Sequence, residues 1–170
     1  DDDSGRRRAA VRELRKRWPD ADVVEGASAG LHPTLDASDE RFRAIADSSS
    51  LLLRISDPDS RVVFVNRRWL EFTGRSFDEE LGDGWLDGVH PDDRVRVERY
   101  MRAHERRSEP YTQQYRVLRA DGEYRTIVDA ASPMLAPDGT SLGYVGTTLD
   151  ITDQLRAEHR SMEAEVLLTT

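Results

Sequence analysis

Residues 111–151 read YTQQYRVLRADGEYRTIVDAASPMLAPDGTSLGYVGTTLDI, and this stretch predicts the centre of the fold. It contains three strand-like runs separated by two turns, at Asp121-Gly122 and at Asp138-Gly139. Asp-Gly pairs favour tight reversals because glycine readily adopts the positive φ angles that such turns require. Thr, Val and Tyr, which favour strands, are frequent within the runs. The stretch is therefore predicted to form an antiparallel meander of three strands.

The composition of the whole chain restricts the kinds of function that it can have. With 170 residues, the chain can form one full domain with appendages. Its formal net charge of -8 argues against a nucleic-acid groove, which needs a concentrated positive field. No apolar run is long enough to cross a bilayer, and the N-terminus lacks the basic-then-apolar order of a signal peptide. We expect a soluble, cytoplasmic segment that binds no nucleic acid.

A hairpin and several helices are predicted before the meander. Residues 51–55 and 61–66 are strand-like runs joined by Asp57-Pro58-Asp59-Ser60, a loop rich in turn formers. Because these runs carry apolar residues on both faces, the non-core face of their sheet is expected to pack on a flanking helix or on a second copy. Short helices follow, and a longer helix is predicted to begin at Pro91.

Several motifs, in the right order along the chain, resemble those of PAS domains. The resemblance covers residues 36–155 and includes the C-terminal half that is called the PAC motif. The matching segments are Val65-Asn66, Trp69, Phe72-Thr73-Gly74, Phe77 to Leu81, Trp85, Val89-His90-Pro91-Asp92-Asp93-Arg94, Tyr115-Arg116-Val117, Asp121-Gly122-Glu123-Tyr124-Arg125, Asp138-Gly139 and Gly146-Thr147-Thr148-Leu149-Asp150-Ile151-Thr152. The chain therefore resembles a bacterial or archaeal signal-transduction module.

That resemblance implies an α+β fold in which helices cover one face of a five-stranded antiparallel sheet and enclose a pocket. It also implies a sensory and dimerisation module without a catalytic domain of its own, relaying to an output domain in the same polypeptide. The parent protein would be a histidine kinase of a two-component system or a diguanylate cyclase. The predicted domains are a PAS domain over residues 36–152 and a signalling helix over residues 153–170.

Residues 1–35 are predicted to form an N-terminal helix and linker. An acidic cluster, a helix over residues 8–18 and a short strand at residues 22–25 resemble the opening of a response-regulator receiver domain. A solvated linker helix is the alternative interpretation.

The pocket lining is predicted from strand alternation and from the aromatic residues of the helices. Residues two apart on a strand share a face, so Tyr115 pairs with Val117 and Val128 pairs with Ala130. The predicted lining residues are Trp69, Phe72, Tyr100, Tyr115, Val117, Val128, Ala130 and Thr147. Such a cavity suits a small amphipathic ligand. The alternative is that these side chains fill the core, which would make the domain a pure interaction module.

The sequence leaves the identity of any cofactor open. Cysteinyl-flavin photochemistry is excluded because the chain contains no cysteine. Haem-binding members of the family use an axial His, and Asp93 occupies that position here. His104 is expected to pack its ring beside Tyr100 and Met101 rather than to ligate haem iron.

The predicted signal exit consists of Asp150, Thr152 and Leu155. Asp150 and Thr152 can cap a helix that begins near Asp153. Along this helix Ile151, Leu155, Met162 and Val166 recur at spacings compatible with a parallel two-stranded coil, which predicts a homodimer. The alternative is a single amphipathic helix that folds back on its own sheet.

His90, Asp92 and Asp93 suggest a different class of function. Imidazole and carboxylate groups are suited to metal binding or to acid/base chemistry, as in a small α+β enzyme. Helix capping explains the same residues, because Pro91 fits a first helical turn and the two carboxylates can accept from its unpaired amides. We expect the capping role, with no catalytic residues and no metal.

Overall fold

A computed structural model of the chain describes residues 37–168. The chain divides into two units between Phe42 and Arg43, and the candidate site lies in the second unit. The receiver-like resemblance at residues 1–35 falls outside the described residues.

The helices and strands follow the predicted order. Their bounds are α1 (Ala37–Ser48), β1 (Leu52–Ser56), β2 (Val62–Val65), α2 (Arg67–Thr73), α3 (Phe77–Glu80), a 3-10 helix (Gly84–Gly88), α4 (Pro91–Arg106), β3 (Tyr111–Leu118), β4 (Tyr124–Leu135), β5 (Ser141–Asp150) and α5 (Thr152–Leu168). The three strand-like runs of the predicted meander, at residues 111–119, 124–135 and 142–149, agree with β3, β4 and β5 to within one residue at each end.

The five strands form one antiparallel sheet in the order β2-β1-β5-β4-β3. Although β5 is the last strand in the chain, it lies at the centre of the sheet between β1 and β4. Gly122 and Gly139 have φ angles of 86° and 84°, which other residues rarely adopt. The prediction of an α+β fold with a five-stranded antiparallel sheet is confirmed.

The register of the strands decides which side chains enter the core. Arg54 aligns with Gly146, and Asp129 aligns with Thr148, so these four residues lie on the same face of the sheet. This is the face on which the buried core residues lie. The opposite face exposes apolar surface, for example at Leu149. The partner predicted for that face stays a prediction.

Asn66 joins three elements beside the core. Its side-chain amide donates to the carbonyl oxygens of Ala46 and Leu51, at 2.9 and 3.0 Å, and its side-chain oxygen accepts from the backbone amides of Leu53 and Trp69. All the strong hydrogen-bonding positions of this buried amide are therefore used. These bonds fix the end of α1, the start of β1 and the start of α2, and the last of them positions Trp69 over the sheet.

Candidate functional site

Arg54 is the most unusual residue of the core. It lies in the middle of β1 on the core face, and its side chain is completely buried. Its guanidinium passes directly over Gly146 of β5, where a Cβ atom would come within 3.1 Å of both Cζ and Nε of Arg54. Glycine at position 146 therefore leaves the space in which Arg54 reaches across β5 toward β4.

Asp129 of β4 is the ion-pair partner of Arg54. Its Oδ2 lies 2.8 Å from Nη2 of Arg54, and both side chains are fully buried. The hydroxyl groups of Tyr115 and Thr148 also donate to the Asp129 carboxylate, at 3.4 and 3.3 Å. Burial acts to lower the pKa of Arg54, but the attraction of Asp129 holds it well above its ordinary value. Arg54 therefore stays protonated, and its contact with Asp129 joins β1 to β4 across the central strand.

Tyr111 extends this cluster to the helix α4. Nη2 of Arg54 donates to the Tyr111 hydroxyl at 2.8 Å, and that hydroxyl donates in turn to Oε1 of Glu105 at 3.0 Å. Burial raises the pKa of Tyr111 and Tyr115 well above the ordinary value for tyrosine, so both hydroxyls keep their protons. The buried cluster thus contains one cation and two carboxylates, linked through phenol groups.

Many of the polar atoms around Arg54 have no hydrogen-bond partner. Among the described residues, the buried side-chain atoms without a partner are Nε and Nη1 of Arg54, Oγ of Ser56, Nε1 of Trp69 and Trp85, Oε2 of Glu105, and both amide atoms of Gln113. Gln113 lies directly opposite Asp129 in the β3–β4 register, between Tyr111 and Tyr115 on the same face. Since unpaired buried polar groups are costly, this concentration marks the cluster as a candidate binding site.

An apolar space adjoins the polar cluster. It is lined by Leu52, Trp69, Phe72, Val117, Ile127 and Thr148, and it is too small to hold a water molecule. Of the residues predicted to line a pocket, Trp69, Phe72 and Val117 border this space, and Tyr115 belongs to the polar cluster. Tyr100 is partly exposed at the side of α4, where its ring contacts those of His104 and Tyr111.

Three predicted lining residues require correction. Val128, Ala130 and Thr147 lie on the opposite face of the sheet, with Ala130 directly paired to Thr147. Alternate residues of β4 and β5 do face opposite sides of the sheet, as predicted. The residues assigned to the core side are, however, displaced by one position in each strand. The side chains that face the core are those of Ile127, Asp129 and Thr148.

Sequence reasoning also missed Arg54, Asp129, Glu105 and Gln113, because charged and amide side chains usually face solvent. Two charges of opposite sign, each in the middle of a strongly strand-forming run, were the available signal.

The predicted signal exit is fastened to β4. Nε and Nη2 of Arg125 lie 2.7 Å from Asp150 and 2.9 Å from Asp153, respectively. The Thr152 hydroxyl accepts from the amide of Thr126 at 2.7 Å, and Oδ1 of Asp150 accepts from the amide of Thr152 at 3.0 Å. Helix α5 therefore begins at Thr152, one residue before the predicted start, and its first turn is held to the sheet.

Leu155, the third predicted exit residue, is exposed on α5. Ile151 lies just before the helix, and its backbone amide donates to the carbonyl oxygen of Thr126 at 2.9 Å. Met162 and Val166 are exposed further along the helix. The apolar positions expected to form a helical seam are thus largely open to solvent.

His90, Asp92 and Asp93 take part in structural contacts at the start of α4. Nδ1 of His90 accepts from the Asp92 amide at 3.2 Å, which caps the helix. Asp93 receives a bidentate pair of bonds from Arg116 at 2.8 and 3.0 Å. The hydrogen bond from the Arg116 guanidinium lowers the pKa of Asp93 from 3.8 to about 2.

The lowered pKa of Asp93 predicts a specific pH dependence of stability. A carboxylate with a depressed pKa stabilises the fold above its unfolded pKa, and that contribution disappears as pH falls through the folded pKa. We expect the wild type to lose this stability between about pH 4 and about pH 2. Asp93→Asn should be less stable than the wild type near neutral pH, and the difference should shrink across that window.

Urea unfolding at a series of pH values measures this effect. Asp92→Asn is the matched control, because the neighbouring Asp92 carboxylate lies outside the Arg116 pair and is largely exposed. Parallel pH profiles for Asp93→Asn and wild type would contradict the prediction.

His104 is held in the aromatic group at the end of α4. Its Nδ1 lies 2.8 Å from the Tyr100 carbonyl oxygen, so this nitrogen is the donor. The ring centroid lies 4.2 Å from that of Tyr100 and 5.8 Å from that of Tyr111. The imidazole therefore packs among phenol rings, near the residues that the sequence suggested.

Comparison with known proteins identifies relatives of this architecture. Residues 62–148 match the family described as the PAS fold. An uncharacterized protein, y4lL, of Sinorhizobium fredii is 41% identical over 136 residues, which cover 79% of this chain and 16% of that protein. The peroxide stress-activated histidine kinase mak3 of Schizosaccharomyces pombe is 24% identical over 128 residues, which cover 74% of this chain and 5% of the kinase. The chain thus spans less than a fifth of these relatives.

Solved structures show the same fold. A sensory box histidine kinase/response regulator from Burkholderia thailandensis superposes with a TM-score of 0.53 and 27% identity, covering 76% of this chain and 98% of that chain. The N-terminal domain of a diguanylate cyclase with PAS/PAC sensor from Marinobacter aquaeolei has a TM-score of 0.56 and 17% identity, covering 62% of this chain and 98% of that chain. Within residues 37–168, no helix combines the length and apolar character needed to span a membrane.

Proposed function

This chain belongs to the PAS fold family, and on that premise we propose that it is a cytoplasmic sensory and dimerisation module of a larger signalling protein. It binds a small ligand in its core and relays the bound state through α5 to an output domain. Relatives that include histidine kinases, of which this chain matches only a small part, support the existence of such an output domain.

One observation carries this proposal: a single face of β4 holds both the interior cluster and the start of α5. Asp129 pairs with Arg54 in the core, and Arg125, on the same face of the same strand, pairs with Asp150 and Asp153. Asp129 and Arg125 lie four residues apart on β4, so a shift of this strand at Asp129 would also move the residue that holds the start of the helix. The unpaired polar atoms around Arg54 support the ligand, because a bound molecule would supply the missing partners.

The exposed apolar residues of α5 support dimerisation. Leu155, Met162 and Val166 lie on a helix whose side chains beyond Thr152 are exposed. Burial of these side chains against a second copy of α5 would be favourable, since each large apolar side chain contributes about 1.5–3 kcal/mol when fully buried. Because α5 leaves the sheet at the Arg125 network, pairing of two such helices would respond to changes in that network.

A pure interaction module with a filled core is the second candidate. The lack of space for a water molecule among Leu52, Trp69, Phe72 and their neighbours favours it. An enzyme that uses His90, Asp92 and Asp93 is disfavoured. The His90 side chain accepts a hydrogen bond from the Asp92 amide, and the Asp93 carboxyl group is paired with Arg116.

Native mass spectrometry of protein purified from cells tests the proposal and distinguishes these candidates. A dimer with a bound small molecule is the expected result. A dimer without any bound molecule would favour the interaction module. A ligand-free monomer at high protein concentration would contradict both the ligand and the dimer.

If the Arg125 contacts transmit the bound state to α5, Arg125→Gln should affect the start of that helix. The substitution removes the charged bonds to Asp150 and Asp153, so the first turn of α5 should open more often while the core stays folded. Amide hydrogen exchange at the start of α5 should accelerate by about tenfold, equivalent to about 1.4 kcal/mol of lost protection. Arg102→Gln is the control, since Arg102 pairs with Asp83 and with Glu98 of α4 and has no contact with the Arg125 network. Unchanged protection of α5 in Arg125→Gln would remove this residue from the relay.

A further inference from the structure

The unpaired atoms of the core cluster carry opposite charges. Nε and Nη1 of Arg54 are donors on a cation, whereas Oε2 of Glu105 is an acceptor on a carboxylate. A single hydroxyl separates the two groups, because Tyr111 accepts from Arg54 at 2.8 Å and donates to Glu105 at 3.0 Å. A ligand that completes both groups must therefore present an acceptor and a donor within a short distance of each other.

The charge balance of the cluster restricts the ligand further. The cluster contains one guanidinium, that of Arg54, and two buried carboxyl groups, those of Asp129 and Glu105. A simple anion would satisfy Arg54 but would place a third acidic group beside one guanidinium and two buried carboxyl groups. A simple cation would satisfy Glu105 and leave the Arg54 donors unpaired. A molecule with a carboxylate at one end and an ammonium group at the other satisfies both without changing the net charge.

Gln113 indicates how large the ligand is and where it enters. Neither atom of its side-chain amide has a hydrogen-bond partner, so displacement of this side chain breaks no hydrogen bond. Gln113 lies between Tyr111 and Tyr115 on the core face of β3. If its side chain moved out of the core, a space of about the size of that side chain would open beside the cluster. Glu105 and Gln113 are 8% and 7% exposed, whereas Arg54 and Asp129 are fully buried. Access therefore leads inward from Glu105 and Gln113, between α4 and the edge strand β3.

The ring of Trp85 lies beside Arg54 at the inner end of the site. Its indole nitrogen has no partner, and Cζ of Arg54 lies 5.8 Å from the centre of its ring. The free donors at the inner end are those of Arg54, and the outer end carries the free Glu105 oxygen. This polarity orients a dipolar ligand with its carboxylate inward.

We propose that the ligand of this core is a small zwitterion of the α-amino-acid type, with its carboxylate on Arg54 and its ammonium group on Glu105. The inference rests on the ligand-binding function proposed above and specifies the chemical class of the ligand. The ligand displaces Gln113 and is no larger than about the side chain it replaces. Ordered water is the competing occupant, since water also donates and accepts, but water would give no selectivity among solutes.

Calorimetric titration of the full chain tests the proposed chemical class of the ligand directly. The probes are glycine and L-alanine, with propionate and ethylamine as analogues that each lack one charged group. We expect saturable binding of a zwitterion and at least tenfold weaker binding of both analogues, because each loses one charge-assisted interaction. Glu105→Gln should weaken zwitterion binding by at least tenfold. Glu109→Gln, which changes an exposed carboxylate nearby, is the matched control and should bind as the wild type does.

Gln113→Leu provides a second variant that preserves every charge. A leucine side chain is more stable inside the core than glutamine, so the ligand displaces it less easily. The zwitterion should therefore bind at least tenfold more weakly, while circular dichroism reports an unchanged fold. Absence of saturable heat from either zwitterion would overturn the inference in favour of water. Propionate that binds as tightly as L-alanine would overturn it in favour of an anion site.

The results can distinguish an error in the ligand class from an error in the proposed sensory function. A different bound molecule in native mass spectra would overturn the zwitterion and leave the sensory function standing. Conversely, L-alanine that binds without any change in α5 exchange would support the ligand class and contradict the relay.

Discussion

Asp129→Ala is expected to destabilise the fold by about 3–5 kcal/mol, because it leaves the Arg54 guanidinium buried without its counter-ion. The loss is large because both partners have no exposed surface and because Tyr115 and Thr148 also lose their acceptor. Urea unfolding followed by circular dichroism measures the change. Asp83→Ala, which breaks an exposed ion pair with Arg102 and no helix cap, is the control and should leave the unfolding midpoint nearly unchanged.

A double variant separates the buried charge from simple loss of packing. Adding Arg54→Met to Asp129→Ala removes the unpaired charge and supplies an apolar side chain for the same space. We expect the double variant to be more stable than Asp129→Ala alone. Additive losses from the two substitutions would show that the ion pair is not the cause of the destabilisation.

Gly143→Ala is expected to have an effect of similar size for a different reason. Gly143 has a φ of 112°, and a Cβ atom there would overlap the backbone carbonyl oxygen of Ser56. Since the obstacle is backbone rather than a movable side chain, β1 and β5 would have to separate at this end. We expect a loss of about 4 kcal/mol or more, or failure to fold.

Gly139→Ala is the matched control for Gly143→Ala. Gly139 also has a positive φ, of 84°, but a Cβ atom there meets nothing within 4 Å. Its substitution should therefore cost only the backbone strain, about 1–3 kcal/mol. Equal losses at the two positions would contradict the close approach of β5 to Ser56.

Local sequence signals predicted the parts of this structure that depend on local physics. The Asp-Gly turns fixed the ends of β3, β4 and β5, because few other residues adopt the required φ angles. The start of α4 at Pro91 followed from the chemistry of a first helical turn, although the side chain that caps the helix is His90 and not the predicted carboxylates. The order of the motifs predicted the family, which the comparisons confirm.

The phase of β4 could not be predicted in the same way. Apolar residues occupy both faces of this strand, as Ile127 and Val128 illustrate, so alternation alone does not say which face is buried. The choice depends on the pairing of Asp129 with Arg54, two residues that are far apart in sequence. A charged residue in a strand is ordinarily assigned to solvent, and this assumption reversed the predicted lining of the core.

The central place of β5 also governs how the polypeptide comes to be folded during synthesis. Strand β1 has β5 as its neighbour on the core side, yet nearly the whole domain must be translated before β5 exists. Until then the edge of β1 that pairs with β5 has no partner, and β1 and β4, which carry Arg54 and Asp129, have no strand between them. A chain that stops before Ser141 therefore lacks the strand that joins β1 to β4, and the five-stranded sheet can form as one unit only after β5 has been made.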